Sequence, residues 1–242
     1  MSDIPKEFSQ EYYNDKYFAD LEGKSFLTPG EKGWKIGHWG YRNPEGEFLG
    51  AKMIAKAWKA IFKPANMLDA GCGRGTFVAY ARDEGIEAEG FDYSDWAVNH
   101  PYPRCKREWL RQWDATKIWP TPDRSWDLVV ALDFLEHIYA ENAGFVISEI
   151  FRVSRKWIFL QTAITQPGSS YKMKKGEPVP NGLQGIAVAG HVNVQPEEYW
   201  LDKLDDERFL LRRDMAEAFK ALVPNEIIAN WIKNSIIVLE RV

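Results

Sequence analysis

Apolar residues follow two patterns along most of this chain, which are short continuous runs and longer segments with helical spacing. Between Phe48 and Phe62 they recur every three or four positions, which predicts a helix that ends before Pro64. The segment from Trp126 to Leu132 is almost continuously apolar and predicts a strand that is buried on both faces. The chain therefore combines helices with buried strands, as α/β proteins do.

The same two patterns continue between the turn residues that separate the elements. Further strands are predicted at residues 67–70, 86–91, 113–116, 157–161, 209–213 and 235–240. Further helices are predicted at residues 76–83, 95–98, 106–112, 143–153, 196–205, 215–223 and 226–233. This alternation predicts an α/β fold with a seven-stranded, mostly parallel sheet and helices on both faces.

Two segments do not fit the alternation. Residues 1–47 are polar and aromatic with little periodicity, and we expect an N-terminal arm that either packs on the body of the protein or caps its site. Residues 164–190 are rich in glycine and proline, which predicts a long loop after the fifth strand of the kind that is usually functional or mobile. We therefore expect an arm at 1–47 and a single α/β domain at 48–242.

Composition limits the partners and the compartment. The 242 residues suit one α/β domain, and a formal net charge of −4 gives no indication of nucleic-acid binding. No apolar run is long enough to span a membrane, and the charged N-terminus is unlike a signal peptide. Two cysteines form no disulfide framework, which favours a reducing environment. We expect a cytoplasmic protein.

A glycine-rich turn follows the first predicted strand and carries the first indication of chemistry. Gly71, Gly73 and Gly75 stand at alternate positions just before a predicted helix. Glycine accepts positive φ and lets a ligand approach the backbone, and a helix start offers unpaired N–H groups. Asp92 ends the second strand, where a carboxylate can accept hydrogen bonds from ribose hydroxyls. A nucleotide-type ligand is therefore expected, and a dinucleotide is one option.

Three features favour a different ligand. The glycine spacing is GxGxG, whereas the dinucleotide fingerprint is GxGxxG. Asp69 lies at the end of the first strand, where its carboxylate suits an ammonium group better than a pyrophosphate because like charges repel. The third feature is the segment from Asp133 to His137, which carries acidic and imidazole side chains. It follows the fourth strand and is expected at the same edge of the sheet.

At these three places the sequence resembles the class I S-adenosylmethionine-dependent methyltransferases, which are Rossmann-like. LDAGCGRG resembles their first motif, FDYS their ribose-binding turn, and WDLVVALDFLEHI their fourth-strand motif in the branch with an LEH signature. The resemblance extends from about Met67 to Gln161. It implies S-adenosyl-L-methionine as the cofactor and methyl transfer as the activity.

The resemblance also implies roles for individual residues. Asp69 would organise the turn beside the methionyl ammonium, and Gly71, Gly73 and Gly75 would let the backbone approach the cofactor. The other expected contacts are to the ribose from Asp92, to the adenine from Tyr93, Asp114 and Ala115, and to the methionine part from Leu132 and Asp133. Asp114 has an equally good alternative as a solvated loop acid.

A hydroxyl acceptor needs a base, and imidazole is suited to this near neutral pH. The chain has four histidines. His191 follows the long loop after strand five and is the first candidate, and His137 follows strand four and is the second. A structural role remains the alternative for each of them.

A divalent metal is a further hypothesis at this edge. Asp133, Glu136, His137 and His191 offer four potential ligands, and this region looks similar to small-RNA 2′-O-methyltransferases and ubiquinone-pathway O-methyltransferases, some of which bind an ion there. Oxygen-rich ligation would favour an ion like Mg²⁺.

The expected function is methyl transfer to a hydroxyl of a small molecule. No Asp-Pro-Pro-Tyr, Asn-Pro-Pro-Tyr or Pro-Cys sequence follows strand four, which argues against methylation of the exocyclic amino groups of bases and against C5-methylation of cytosine by a cysteine nucleophile. The alternatives are an RNA or protein methyltransferase, a nicotinamide-dependent oxidoreductase, and a non-catalytic module that keeps the cofactor fold.

Overall fold

Strands and helices alternate through the part of the chain that the structure, a computed structural model, describes. This part comprises residues 13, 35–37, 40–42, 49–164, 191–223 and 235–242. The strands are β1 Lys35–Gly37, β2 Gly40–Arg42, β3 Asn66–Ala70, β4 Glu87–Asp92, β5 Leu110–Gln112, β6 Trp126–Leu132, β7 Ser154–Gln161, β8 Phe209–Leu211 and β9 Ile236–Arg241. The helices are α1 Leu49–Phe62, α2 Thr76–Asp83, α3 Asp95–Asn99, α4 Ala140–Val153, α5 Glu197–Lys203 and α6 Arg213–Leu222, with 3-10 turns at Arg107–Trp109 and Leu135–His137.

Seven strands form one sheet in the order β5-β4-β3-β6-β7-β9-β8. The five from β3 to β7 pair in parallel, and β9 lies antiparallel between β7 and β8. The chain moves outward from β3 first towards β5 and then, after crossing back, towards β7. The loops that follow β3 and β6 therefore diverge at the carboxyl edge, and the space between them is the cleft in which α/β sheets bind ligands. The predicted α/β fold is confirmed.

The sheet separates two apolar cores. Successive residues of β6 point alternately to one and the other, so that Leu128 and Val130 belong to the first core while Val129 and Ala131 belong to the second. The first core contains buried side chains of α1, α2 and α6, and the second contains those of α4 and α5. Helices therefore cover both faces, which explains why β6 is apolar at nearly every position.

Several element boundaries agree closely with the sequence pattern. Helix α2 and strand β6 have the predicted limits. Ser94 caps α3 as predicted, because its Oγ accepts a hydrogen bond from the backbone N–H of Ala97 at 3.0 Å. Among the described residues, no helix is both long and apolar enough to cross a membrane.

The third strand of the alternation lies elsewhere than predicted. Leu110–Gln112 form β5 in place of the predicted end of a helix, and residues 113–116 lie beyond the strand in a turn. Only Leu110 of the three strand residues is buried, so this edge strand carries too little apolar pattern to identify.

A second difference concerns the N-terminal segment. Strands β1 and β2 form a small antiparallel hairpin within the predicted arm, for which no strand was expected, because three-residue strands are too short to show a period. The predicted helix at 226–233 and the greater part of the predicted loop at 164–190 lie outside the described residues.

Candidate active site

The glycine-rich turn bends back over the end of β4. The N–H groups of Gly71 and Cys72 both donate to the carbonyl oxygen of Phe91, at 2.9 and 3.0 Å. The φ angles of Gly71, Gly73 and Gly75 are +77°, +54° and +75°, which lie in the left-handed region. A side chain is strained there, and a Cβ on Gly71 would lie 2.4 Å from Cδ2 of Phe134. Glycine is therefore required both by the backbone and by the packing across the cleft.

Asp92 joins the glycine-rich turn to the turn after β4. Its Oδ2 accepts the N–H of Gly73 at 2.7 Å, and its Oδ1 accepts the N–H of Ser94 at 2.8 Å. Burial raises the pKa of Asp92, and these two backbone N–H groups oppose that rise because they stabilise the ionised form. Each carboxylate oxygen has two lone pairs, so the half-buried group keeps capacity for further donors such as ribose hydroxyls.

Asp69 is buried at the end of β3, directly before this turn, and is only 2% exposed. Its Oδ2 has no hydrogen-bond partner among the described residues. Burial, and secondarily the negative charge of Asp92, raises the pKa of Asp69 to about 8. A buried carboxyl oxygen that lacks a hydrogen-bond partner among the described residues matches a ligand with a cationic hydrogen-bond donor, such as an ammonium group.

The residues predicted to contact adenine lie around the ends of β4 and β5. The backbone carbonyl of Tyr93 accepts Nε2 of Gln112 at 3.2 Å. Oδ1 of Asp114 accepts both the N–H and the Oγ1 hydroxyl of Thr116, at 2.9 and 2.7 Å, which closes a turn within the loop. Ala115 is buried, and its carbonyl oxygen accepts Nε1 of Trp119 at 3.0 Å. Asp114 thus has a structural use in its own loop, and its contact with adenine stays a prediction.

On the other side of the cleft, β6 ends at the buried Leu132. The next residue, Asp133, has a φ of +44°, which is uncommon for a residue with a side chain. Its N–H donates to both the backbone carbonyl and Oε1 of Gln161, at 3.0 and 3.1 Å. This bend directs the chain into the 3-10 turn that carries His137.

The two candidate bases lie together. The rings of His137 and His191 meet edge to face, with centroids 4.7 Å apart at 89°. The ring of Tyr13 is 6.3 Å from that of His137 and 6.4 Å from that of Tyr93, edge to face in both cases. These four rings form a continuous series from the β4 turn, on the cofactor side of the predicted site, to the histidine pair.

The described side chains are not arranged as the metal site that the sequence suggested. Among the described residues, no group of three or more histidine, cysteine, aspartate or glutamate side chains is arranged to hold a metal ion. Glu136 is fully buried, and its two carboxylate oxygens accept hydrogen bonds from Thr162 Oγ1 and from the N–H of Ala163, both at 2.9 Å. Of the two carboxylates that were potential metal ligands, that of Glu136 is therefore engaged in hydrogen bonds inside the protein.

Three residues of the site were missed by sequence reasoning. Gln161 fixes the bend at Asp133, Thr162 binds Glu136, and Tyr13 has its backbone carbonyl hydrogen-bonded by the hydroxyl of Ser94. A polar pair directly after the apolar run of β7 was the available signal for Gln161 and Thr162. Tyr13 is distant in sequence and gave no such signal.

Comparison with known families gives the assignment. Residues 38–202 match the family described as a methyltransferase domain, which is more than half of the chain. The chain belongs to this methyltransferase family. A curated relative, a probable S-adenosylmethionine-dependent methyltransferase of Mycolicibacterium smegmatis, is 37% identical over 90 residues, which are 37% of this chain. The match spans only 34% of that relative's length. The resemblance recognised from the sequence motifs is confirmed.

Solved structures agree with the fold of this methyltransferase. Magnesium protoporphyrin IX methyltransferase from Synechocystis PCC 6803, with bound SAH, has a TM-score of 0.58 at 16% identity, over 96% of this chain and 98% of that one. The plantazolicin methyltransferase BpumL has a TM-score of 0.55 at 14% identity, over 82% and 85%. The [4+2]-cyclase SpnF has a TM-score of 0.55 at 17% identity, over 90% and 85%. Because a cyclase is among them, this structural similarity shows the fold alone, and the reaction has to be argued from the residues of the site.

Proposed function

We propose that this methyltransferase transfers a methyl group from S-adenosyl-L-methionine to a hydroxyl group of a small molecule. The observation that carries the proposal is the buried carboxyl of Asp69 next to a turn of three left-handed glycines. Together they offer an unsatisfied acceptor for an ammonium group and a backbone without side chains for close approach.

The residues of the β3 and β4 turns fit this cofactor in charge and in hydrogen bonding. Asp69 would bind the methionyl ammonium, Asp92 would accept the ribose hydroxyls, and Tyr93 would lie against the adenine. When bound, the cofactor supplies an electrophilic methyl group on a sulfonium. What the protein contributes is alignment of the nucleophile and exclusion of water, since the leaving group is already part of the cofactor.

The side chains on the acceptor side of the proposed site suit a small, partly aromatic molecule as the methyl acceptor. Tyr13, Tyr93, His137 and His191 present ring surfaces, which suit a molecule with apolar area. Two of the structural neighbours are methyltransferases named for plantazolicin and for magnesium protoporphyrin IX. The net charge of −4 argues against a nucleic-acid acceptor.

In this proposal an imidazole nitrogen of His191 takes the proton of the acceptor hydroxyl as the oxygen attacks the methyl carbon. His137 contacts His191 edge to face and is the second candidate for this role. The proposed N-terminal cap of residues 1–47 would add Tyr13, whose ring contacts that of His137. Two cysteine thiols that are free and buried are compatible with a reducing compartment such as the cytoplasm.

The experiment is calorimetric titration of S-adenosylhomocysteine into the wild type and into Asp92→Ala. We expect affinity to fall by at least about a hundredfold, since hydrogen bonds to a charged group contribute roughly 1.5–3 kcal/mol each. Asp83→Ala is the control because Asp83 is an acid on the surface that pairs with Arg104. Wild-type affinity in Asp92→Ala would refute the site.

The second arm uses release of S-adenosylhomocysteine from S-adenosylmethionine in the presence of a panel of phenols and alcohols. With an active acceptor, His191→Ala should lower kcat by roughly 10²–10⁴-fold and leave cofactor affinity almost unchanged. The exposed His100, which stacks on Trp96, provides the matched control His100→Ala. An unaffected kcat in His191→Ala removes it as the base.

A further inference from the structure

Glu136 is a buried carboxyl that pairs with no cationic side chain among the described residues. It is 0% exposed, and none of the ion pairs formed between described residues includes it. Burial, together with the charge of Asp133, holds its pKa well above the usual range. Burying a carboxyl group in an apolar interior costs free energy of folding. We therefore expect the hydrogen bonds that Glu136 makes there to have a role of their own.

The carboxyl group of Glu136 connects the end of β7 to the 3-10 turn. Its Oε2 accepts the hydroxyl of Thr162, and its Oε1 accepts the N–H of Ala163, both at 2.9 Å. Thr162 and Ala163 are themselves buried and follow β7 directly. This connection therefore fixes the turn against the neighbouring parallel strand.

The backbone of Glu136 connects the turn to a third segment. Its carbonyl oxygen accepts two successive N–H groups, from Val192 at 2.8 Å and from Asn193 at 2.9 Å. One residue therefore joins segments that are 26 to 57 positions away in the chain. Glu136 and Asn193 are 0% exposed and Val192 is half-buried, so water has little access to these bonds.

The two imidazoles flank this junction. His137 is the residue after Glu136, and His191 is the residue before the segment that its carbonyl binds. Their ring centroids lie 4.7 Å apart, and the hydrogen bonds from Val192 and Asn193 to the Glu136 carbonyl hold the two backbones near each other. A displacement of about 1 Å between such groups can cost roughly a hundredfold in rate.

We propose that Glu136 is a positioning residue: through its carboxyl and its carbonyl it holds the 3-10 turn, residues 162–163 and residues 191–193 together, and so sets His191 against His137. Because Glu136 is fully buried, the proposal assigns it no contact with the cofactor or the acceptor. The catalytic consequence rests on the proposed function, whereas the structural consequence for the two rings does not.

The test reads the two rings directly. With four histidines in the chain, the imidazole resonances in a ¹H–¹³C spectrum can be assigned by single substitutions. Each ring of an edge-to-face pair shifts the proton resonances of the other. Glu136→Ala should therefore move the signals of both His137 and His191 and leave that of His100, outside the junction, in place.

Glu149→Ala is the matched control for loss of a buried glutamate. Glu149 is 5% exposed and its carboxylate accepts a backbone N–H, from Trp119 at 2.7 Å, but it also pairs with Arg152 and lies in α4. We expect this control to lower the melting temperature without moving the His137 and His191 signals. Unchanged His137 and His191 signals in a folded Glu136→Ala protein would overturn the proposal.

Two milder variants keep the test decisive if Glu136→Ala does not fold. Thr162→Val removes the hydroxyl that binds Oε2, and Glu136→Gln keeps the size of the side chain and an acceptor for Ala163. Both should move the two signals in the same direction by less than the alanine change. Signals that stay at their wild-type positions in both variants would also overturn it.

A kinetic measurement then connects the rings to the reaction. With an active acceptor, Thr162→Val should lower kcat by about tenfold, within the range expected for misalignment, while S-adenosylhomocysteine affinity stays within about twofold. A wild-type protein that shows no methyl transfer would contradict the proposed function alone, because the ring signals do not depend on turnover. A kcat that stays at the wild-type value while the signals move would restrict Glu136 to a structural role and overturn its place in the reaction.

Discussion

At the scale of single residues, Asp69 shows what the sequence could predict and what required the structure. Its place before the glycine-rich turn predicted a partner for a cationic group. Its burial to 2% exposure, its unpartnered Oδ2 among the described residues and its pKa of about 8 come from the packing of β3 between two strands. Such a group is largely protonated at neutral pH in the free protein.

This ionisation makes the stability of the free protein depend on pH. An unfolded aspartate loses its proton near pH 4, whereas Asp69 in the folded protein keeps it until about pH 8. The folded state therefore holds more protons in this window, and this contribution to stability is lost as pH rises from about 4 to about 8. Asp69→Asn should raise the melting temperature at pH 8 relative to the wild type, and by less at pH 5.

The same ionisation should couple to the ligand. A cofactor ammonium favours the charged carboxylate, so binding at pH 7 should release close to one proton in the wild type and none in Asp69→Asn. Calorimetric titration of S-adenosylmethionine in phosphate and in Tris buffer separates the two cases. Asp83→Asn should behave as the wild type does, and equal binding enthalpies of the wild type in both buffers would contradict the linkage.

At the scale of elements, how well an element could be predicted depended on how much of it is buried. The limits of β6 were correct because five of its seven residues are buried and leave a continuous apolar run. Strand β5 was misplaced because it has three residues and one buried side chain at the edge of the sheet. The junction at Glu136 was not predictable because its partners come from three separate segments, and polar contacts of that kind leave no periodicity.

The glycine-rich turn allows steric and backbone effects to be separated. Gly75 and Gly85 have nearly the same φ, +75° and +73°. A Cβ on Gly75 would lie 2.6 Å from Sγ of Cys105, whereas nothing lies within 4 Å of a Cβ on Gly85. Gly85→Ala should therefore lower the free energy of unfolding by the backbone cost alone, about 1 kcal/mol.

Gly75→Ala adds the clash, and we expect a further loss of roughly 1–3 kcal/mol. Because Gly75 caps the N-terminus of α2 at the expected cofactor site, affinity for S-adenosylhomocysteine should fall about tenfold or more, and Gly85→Ala should leave it unchanged. Urea denaturation and calorimetry measure the two quantities. Equal unfolding free energies of the two variants would show that the side chains around Gly75 move to accommodate the added methyl group.

At the scale of the whole molecule, the sheet is the common wall of two cores. Residues of β7 alternate between them, with Phe159 in the first and Ile158 and Leu160 in the second. Phe159 contacts the rings of Trp58 and Phe219, with centroids 5.6 and 4.6 Å away. The cleft lies at one edge of this wall, so its geometry depends on both cores remaining packed.

Removing Phe159 tests whether the two cores unfold as one unit. Phe159→Ala should lower the free energy of unfolding by about 3–5 kcal/mol, as expected for a buried aromatic side chain. Hydrogen exchange should show an equal loss of protection in α1, which packs in the first core, and in α4, which packs in the second. Phe145→Ala, at a position that is 37% exposed, is the control and should cost about 1 kcal/mol or less. Protection that falls in α1 and stays at the wild-type level in α4 would mean that the sheet does not couple its two faces.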